Sequence, residues 1–287
     1  MHPYLQGQSP FLASGKDYDS AKWVLFGLPF DLGVSFRPGA RHAPGRIREV
    51  SLLGMETFCP ICDASLEERS FFDAGEVEMP SGDLIGSLAR IREVAQSIYK
   101  AGKQPLAIGG DHLVSLPLIE AAAEAHPELH VLHFDAHTDL RESFSGSRLS
   151  HATVLRHAFG FLKPRHLWQF GIRNSTAEEI CWANGRVRQY WDDELRPLQK
   201  IKSELVGYPI YITLDIDVLD PAYAPGTGTP EAGGISSREL LQALHALSGL
   251  NIVGMDLVEV APPLDDHDRT SILAAKIVRE ALLIFGG

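Results

Sequence analysis

Residues 129–139 read LHVLHFDAHTD, an apolar run (129–134) that breaks at once into Asp135, His137 and Asp139. The run is continuous rather than alternating, the pattern of a parallel strand covered on both faces. Five more runs share this character, at residues 23–28 (WVLFGL), 105–108 (PLAI), 167–170 (LWQF), 210–214 (IYITL) and 252–257 (IVGMDL). Helical patterns lie between them. Leu84, Leu88, Ile91, Val94, Ala95 and Ile98 recur at helical spacing, with Gly102 as the expected stop. Ser236 and Glu239 form an S-x-x-E capping box ahead of Leu240, Leu241, Leu244 and Leu247. A last helix is expected from near Thr270 to Leu283. Strands alternating with helices predict one α/β domain, residues 1–287, on a mainly parallel central sheet. The Gly/Pro-rich segments 33–45 and 221–234 read as loops between elements, of a length that is more often functional than idle.

Composition agrees. Of 287 residues, 45% are apolar and 22% charged, as in an ordinary globular domain, which excludes collagen, coiled coil and wholesale disorder. With 37 acidic against 26 basic side chains the net charge is −11. Lacking a basic cluster, the chain is a poor polyanion ligand, so no nucleic-acid partner is expected. The same field favours a cationic substrate. No apolar stretch reaches the about 18 residues that span a membrane, and residues 1–20 lack the basic and apolar regions of a secretory signal. A cytoplasmic protein with no membrane partner is expected. Cys59 and Cys62 make one C-x-x-C, a zinc ribbon needs a second such pair, and Cys181 stands alone. Reduced thiols are the expectation.

In an open parallel sheet, ligands bind beyond the carboxyl ends of the strands. PLAI leads there to Gly109-Gly110-Asp111-His112, LHVLHF to Asp135, His137 and Asp139, and IYITL to Asp215 and Asp217, while the last run leads to Glu259. An uncompensated charge next to a buried strand costs several kcal/mol, so something must compensate it. His112, Asp135, His137, Asp139, Asp215 and Asp217 supply two imidazoles and four carboxylates, whose charge balances two divalent cations. The absence of cysteine and the carboxylate majority select a hard or borderline ion such as Mn²⁺. Two such ions about 3.5–4 Å apart share a water and lower its pKa towards neutrality. The spacing of Asp135, His137 and Asp139 places them on one side of an extended segment. Taken singly, D-x-D is common in loops and the glycines of GGDH can simply turn the chain. The combination at strand ends is what points to a metal pair. His126, His130, His133, His157, His166 and His245 read as surface or satisfied core histidines.

These motifs, with residues 26–48 (FGLPFDLGVSFRPGARHAPGRIR), 149–157 (LSHATVLRH), 215–234 (DIDVLDPAYAPGTGTPEAGG) and 257–265 (LVEVAPPLD), resemble the ureohydrolases, the family of arginase and agmatinase. The resemblance implies a three-layer α/β sandwich and a binuclear manganese centre, two Mn²⁺ per subunit. It places His112 and Asp139 at opposite ions, has Asp135 and Asp215 bridge, and lets His137 and Asp217 each complete one ion. The implied reaction is hydrolysis of a guanidinium to an amine and urea, in a homo-oligomer, hexamer or trimer. Glu259 matches the carboxylate that holds the guanidinium, which it can do through paired hydrogen bonds. His151 matches the histidine that carries protons to the leaving amine, and its ordinary pKa of about 6.5 suits that task.

The arginases read their amino-acid substrate partly through a Ser-Gly-Asn motif. Here the nearest string is Ser145-Gly146-Ser147, without the Asn and one residue further from His151. LSHAT, APGTGTPEAGG and VEVAPPLDDHD with Thr270 resemble bacterial agmatinases instead, so the expected substrate is agmatine, a small cationic guanidine. Guanidinobutyrase, arginase, formimidoylglutamase and guanidine hydrolases share much of the pattern, and Arg37, Arg41 and Arg148 are candidate clamps for a substrate carboxylate. A two-metal phosphoesterase uses similar ligands but needs cationic groups for phosphate. A non-catalytic family member is disfavoured by retention of all six ligands and Glu259.

Overall fold

All six apolar runs form strands, and together they make the centre of one sheet: β2 (Trp23–Gly27), β6 (Gln104–Ile108), β7 (His130–Phe134), β8 (Leu167–Ile172), β10 (Ile210–Asp215) and β11 (Ile252–Val258). The computed structural model describes residues 1–15, 17–191 and 195–287. Three further strands complete the sheet, β1 (Leu5–Gln6), β5 (Phe71–Val77) and β9 (Val187–Trp191), in the order β1-β5-β2-β6-β11-β10-β7-β8-β9. Only β1 runs antiparallel to its neighbour. A separate two-stranded hairpin, β3 (Phe58–Cys59) with β4 (Ala64–Ser65), follows helix α1 (Ala43–Gly54).

The strands read as continuous because both faces are covered. Trp23 and Leu25 of β2, with Leu106 and Ile108 of β6, pack among residues of α1, α6 (Leu195–Leu205), α7 (Ser237–Ala246) and α8 (Arg269–Phe285). Val24, Phe26, Ala107 and Val131 pack among those of α2 (Leu84–Lys100), α3 (Ser115–Ala125), α4 (Val154–Ala158) and Ala183 of α5 (Ala177–Ala183). This is the three-layer α/β sandwich. The α2 helix ends just before Gly102 (φ 72°), and Ser236 with Glu239 caps α7 as the sequence predicts. Among the described residues, no helix is long and apolar enough to cross a membrane.

The strands that patterning missed carry charge or lie at an edge. In β5, Asp73 and Glu76 interrupt the apolar pattern, and the buried Arg48 of α1 compensates them. Its Nε and Nη2 donate to Asp73 at 2.8 and 2.9 Å, and its Nη1 to Glu76 at 3.1 Å. Strand β9 is the sheet's outer strand and is only half-buried.

Gly109 and Gly110 do not serve the turn that the sequence suggested, since neither has a positive φ. They allow close approach instead. A Cβ on Gly110 would lie 1.6 Å from the Phe30 carbonyl oxygen. That carbonyl accepts from Asp111 N at 2.9 Å, and the Asp111 carboxylate accepts from Gly33 N at 2.7 Å and Leu113 N at 3.0 Å. The segment after β2 is thereby clamped to the end of β6, next to His112. Gly110→Ala is expected to lose at least the about 1–3 kcal/mol typical of overpacking, because the obstructing atom is backbone and has little room to yield. A urea unfolding midpoint unchanged from the parent chain would contradict this.

Candidate metal centre

Four adjacent strands, β6, β11, β10 and β7, deliver the titratable residues to one end of the sheet. His112 Nδ1 lies 3.1 Å from Asp135 Oδ2, 3.1 Å from Asp139 Oδ2 and 3.2 Å from Asp215 Oδ2. His137 Nδ1 lies 3.0 Å from Asp217 Oδ2 and 3.4 Å from Asp135 Oδ1. All six expected ligands therefore converge, in two groups that share Asp135. His112 and Asp139 fall in the same group, which corrects the expectation that they serve opposite ions. The reason is local. Residues 135–139 are not an extended segment: Asp139 has φ 52°, and His137 N donates to Asp135 Oδ1 at 2.6 Å. The chain turns, so that Asp139 faces His112 while His137 faces Asp217.

Glu259 also sits in the left-handed region, at φ 63°. For a residue with a side chain this costs of order 1–3 kcal/mol. Surrounding bonds hold both residues there. The Asp139 carbonyl accepts from Leu155 N and Arg156 N, and Glu259 N donates to Gly110 O at 2.9 Å. Glu259 Oε1 in turn accepts from His112 N at 2.8 Å.

Burial opposes the charged form of each of these groups. Asp135 nonetheless falls well below the usual carboxylate range, because His133, His112 and His137 surround it. Burial, with Asp217 and Asp135 alongside, pushes Asp215 well up, and burial with Asp135 raises Asp217. Burial would depress His137, but Asp217 and Asp135 carry it up to about 12. His112 rises well above its ordinary value, against burial, through Asp135, Asp139 and Asp215. The carboxylates outnumber the positive charges the chain supplies, so some ionise only at the expense of others. His112 Nδ1 and Asp217 Oδ2 are buried with no hydrogen-bond partner. Nδ1 is nearly equidistant from three carboxylate oxygens and bonded to none, an arrangement suited to ligands around a cation. The donor set, imidazole nitrogen and carboxylate oxygen, fits hard or borderline divalent ions.

A buried network orients these groups. Thr213 Oγ1 donates to Asp256 Oδ1 at 2.7 Å, so it accepts from His112 Nε2–H at 3.0 Å and leaves Nδ1 facing the carboxylates. Asp256 also accepts from Tyr211 at 2.8 Å. Gln169 Nε2 donates to His133 Nδ1 at 3.0 Å, so His133 Nε2–H donates to Asp135 Oδ2 at 2.7 Å. His133 is a satisfied core histidine, as read, and it also fixes the shared carboxylate. The signal for these residues was present in the sequence: each is a polar interruption inside an apolar strand.

Beside the cluster lies a cavity of about 170 Å³, whose wall includes His137, Asp139, His151, Ser35, Arg141 and Phe144. His151 Nε2 is 2.7 Å from Ser35 Oγ, and its Nδ1 is 3.8 Å from Glu259 Oε1. Glu259 is buried, next to the cavity-wall His151. Burial lowers the His151 pKa, and burial with nearby Asp111 raises Glu259 well above its ordinary value. The expected carboxylate clamps are elsewhere. Arg37 donates to the Thr227 and Gly228 carbonyls, Arg41 pairs with Asp31, and Arg148 is exposed. The arginine on the cavity wall is Arg141, stacked 4.6 Å over the Phe144 ring and 3.8 Å from Glu179.

Fold and site together define an α/β protein with a buried carboxylate–imidazole cluster, shaped for divalent cations, at the carboxyl end of a parallel sheet. The arginase family model matches residues 21–284, and the chain belongs to that family. An agmatinase of Bacillus anthracis is 48% identical over 276 residues, 95% of each chain. Proclavaminate amidino hydrolase of Streptomyces clavuligerus superposes with a TM-score of 0.90 at 33% identity, covering 99% of both chains. The agmatine ureohydrolase of Thermoplasma volcanium does so with a TM-score of 0.88 at 28% identity, covering 98% of this chain and 95% of its own. Within the family the chain is most like the bacterial agmatinases.

Thr213→Val keeps the side-chain shape but removes the acceptor for His112 and a donor to Asp256. Leaving such buried groups unpaired costs about 1–3 kcal/mol. That loss is expected in equilibrium unfolding, and a variant as stable as the parent would show that the threonine does not hold the ring.

Proposed function

We propose that this protein is an agmatinase-type ureohydrolase that binds two Mn²⁺ ions and hydrolyses agmatine to putrescine and urea. The observation that carries the reading is the pair of ligand groups sharing Asp135, beside a cavity that presents His137, Asp139 and His151. Identity of 48% to an agmatinase over 95% of the chain supports the substrate. His112, Asp135, Asp139 and Asp215 would hold one ion, and Asp135, His137 and Asp217 the other. When bound, such a pair supplies a water whose pKa is lowered to about 7 as the nucleophile.

The chain's own residues do the rest. Glu259, whose buried carboxyl is pushed well above its ordinary pKa, is drawn towards its charged form by an approaching guanidinium, which it would orient through charge-assisted hydrogen bonds. His151 is held by Ser35 and kept neutral near pH 7 by burial, so it can take a proton and pass it to the leaving amine. Thr213 and His133 fix the orientation of His112 and Asp135. The partner is a small cationic guanidine rather than nucleic acid or membrane. We further propose a cytoplasmic homo-oligomer, trimer or hexamer; exposed Leu52, Leu53, Phe58 and Ile61 offer apolar surface for an assembly to cover.

Arg141 keeps a second reading specific, since a guanidino acid could pair its carboxylate with this arginine. The test is a urea-release assay with Mn²⁺-loaded protein across agmatine, L-arginine, 4-guanidinobutyrate and guanidine. The specificity constant for agmatine is expected to be the highest, because an α-carboxylate entering without its usual donor is buried unpaired. Chelation is expected to abolish urea release and Mn²⁺ to restore it. Preference for 4-guanidinobutyrate, weakened by Arg141→Gln, would overturn the agmatine reading in favour of the guanidino-acid one.

A further inference from the structure

A second cluster of ligand atoms lies outside the cavity and the carboxylate groups, where the β3–β4 hairpin packs on α7 and α8. Cys59 Sγ is 3.7 and 3.9 Å from the two carboxylate oxygens of Glu280. Cys62 Sγ is 3.6 Å from Glu280 Oε2 and 4.0 Å from His245 Nε2, which is itself 2.9 Å from Oε2. The ligand atoms of Cys59, Cys62 and Glu280 all lie within 4.8 Å of one another. Tetrahedral zinc, with bonds of about 2.3 Å to sulfur and about 2.0–2.2 Å to nitrogen and oxygen, sets its ligand atoms roughly 3.3–3.8 Å apart. The two thiols and Glu280 are close to that spacing, with His245 against the Cys62 and Glu280 side of the group.

We propose that Cys59, Cys62, His245 and Glu280 form a structural zinc site that ties the hairpin to α7 and α8. The sequence offered only one C-x-x-C, and a zinc ribbon needs a second pair. Here the fold supplies the other half from residues 183 and 218 positions beyond Cys62. Four protein ligands make a closed site, the structural rather than catalytic kind. Glu280 and Cys59 are buried, so the carboxylate sits among the thiols rather than in water. Glu280 Oε1 is engaged by Lys276 Nζ at 2.6 Å and Arg279 Nη2 at 3.4 Å, which leaves Oε2 towards Cys62 and His245. Two thiolates and a carboxylate exceed the charge of Zn²⁺ by one, and these two cations offset the surplus. On binding, each thiol releases its proton to solvent, and His245 gives up the Nε2 proton it shares with Glu280, to solvent or to its own Nδ1, so that Nε2 can ligate. A redox dithiol would need neither the buried carboxylate nor the imidazole.

Cobalt titration of the full-length, reduced protein tests this independently of activity. Co²⁺ bound by thiolate gives a near-ultraviolet sulfur-to-metal charge-transfer band, which the sulfur-free carboxylate cluster cannot produce. The expected result is a band whose full intensity corresponds to one thiolate-bound Co²⁺ per chain and that is bleached by Zn²⁺, is weakened in Cys59→Ser and in Cys62→Ser, and is lost in the Cys59→Ser/Cys62→Ser double variant. His245→Ala should keep the band but need more cobalt to saturate it. Absence of the band from the reduced wild-type chain overturns the site and leaves a dithiol. A band that survives in the double variant assigns the sulfur to another cysteine and overturns the site equally. The wild-type titration decides even if a variant fails to fold.

Discussion

Four carboxylates packed around two imidazoles, almost out of reach of water, are the constraint from which the rest of this molecule follows. Asp135, Asp139, Asp215 and Asp217 lie at the ends of buried strands, where isolated charge is expensive. The chain does not supply enough positive charge for all of them to ionise, so the surrounding protein must hold groups that repel one another. It does this with rigid parts. Parallel strands set the spacing, the left-handed residues Asp139 and Glu259 turn side chains inward, and the contact at Gly110 closes the loop beside His112. Orientation comes from Thr213, Asp256, His133 and Gln169, buried polar residues that point hydrogen bonds at the ligands and away from the lone pairs facing the centre. Such supporting bonds are a general requirement of metal sites.

The six central strands were legible because their apolar runs are uninterrupted, and the six candidate ligands because each follows such a run. Strand β5 was not, because Asp73 and Glu76 become acceptable in a sheet only once Arg48 arrives from a separate helix. The family resemblance implied that His112 and Asp139 serve opposite ions, whereas the fold puts them in one group. Spacing in D-x-H-x-D suggests a single face, whereas the left-handed turn at Asp139 sends alternate residues to different neighbours. Arg141, in the loop just past Asp139, carried no distinguishing signal in its spacing. The cysteines are free thiols, as expected, but the sequence could not show His245 and Glu280 beside Cys59 and Cys62, because they are remote along the chain.

The solved relatives superpose on the same fold under different names, one an agmatine ureohydrolase and one a proclavaminate amidino hydrolase. In this chain the cavity wall combines Arg141, stacked on Phe144, with the buried acid Glu179. A cationic amine and an anionic carboxylate would each find one partner and one repulsion there.

The central claim is that the carboxylate–imidazole cluster holds two divalent cations that share a carboxylate. Electron paramagnetic resonance of the manganese-loaded protein addresses it directly. With Asp135 common to both groups, binding should saturate at two ions per chain and give the hyperfine pattern of a spin-coupled pair. Saturation at one ion, or two ions with the spectrum of isolated Mn²⁺, would contradict the account.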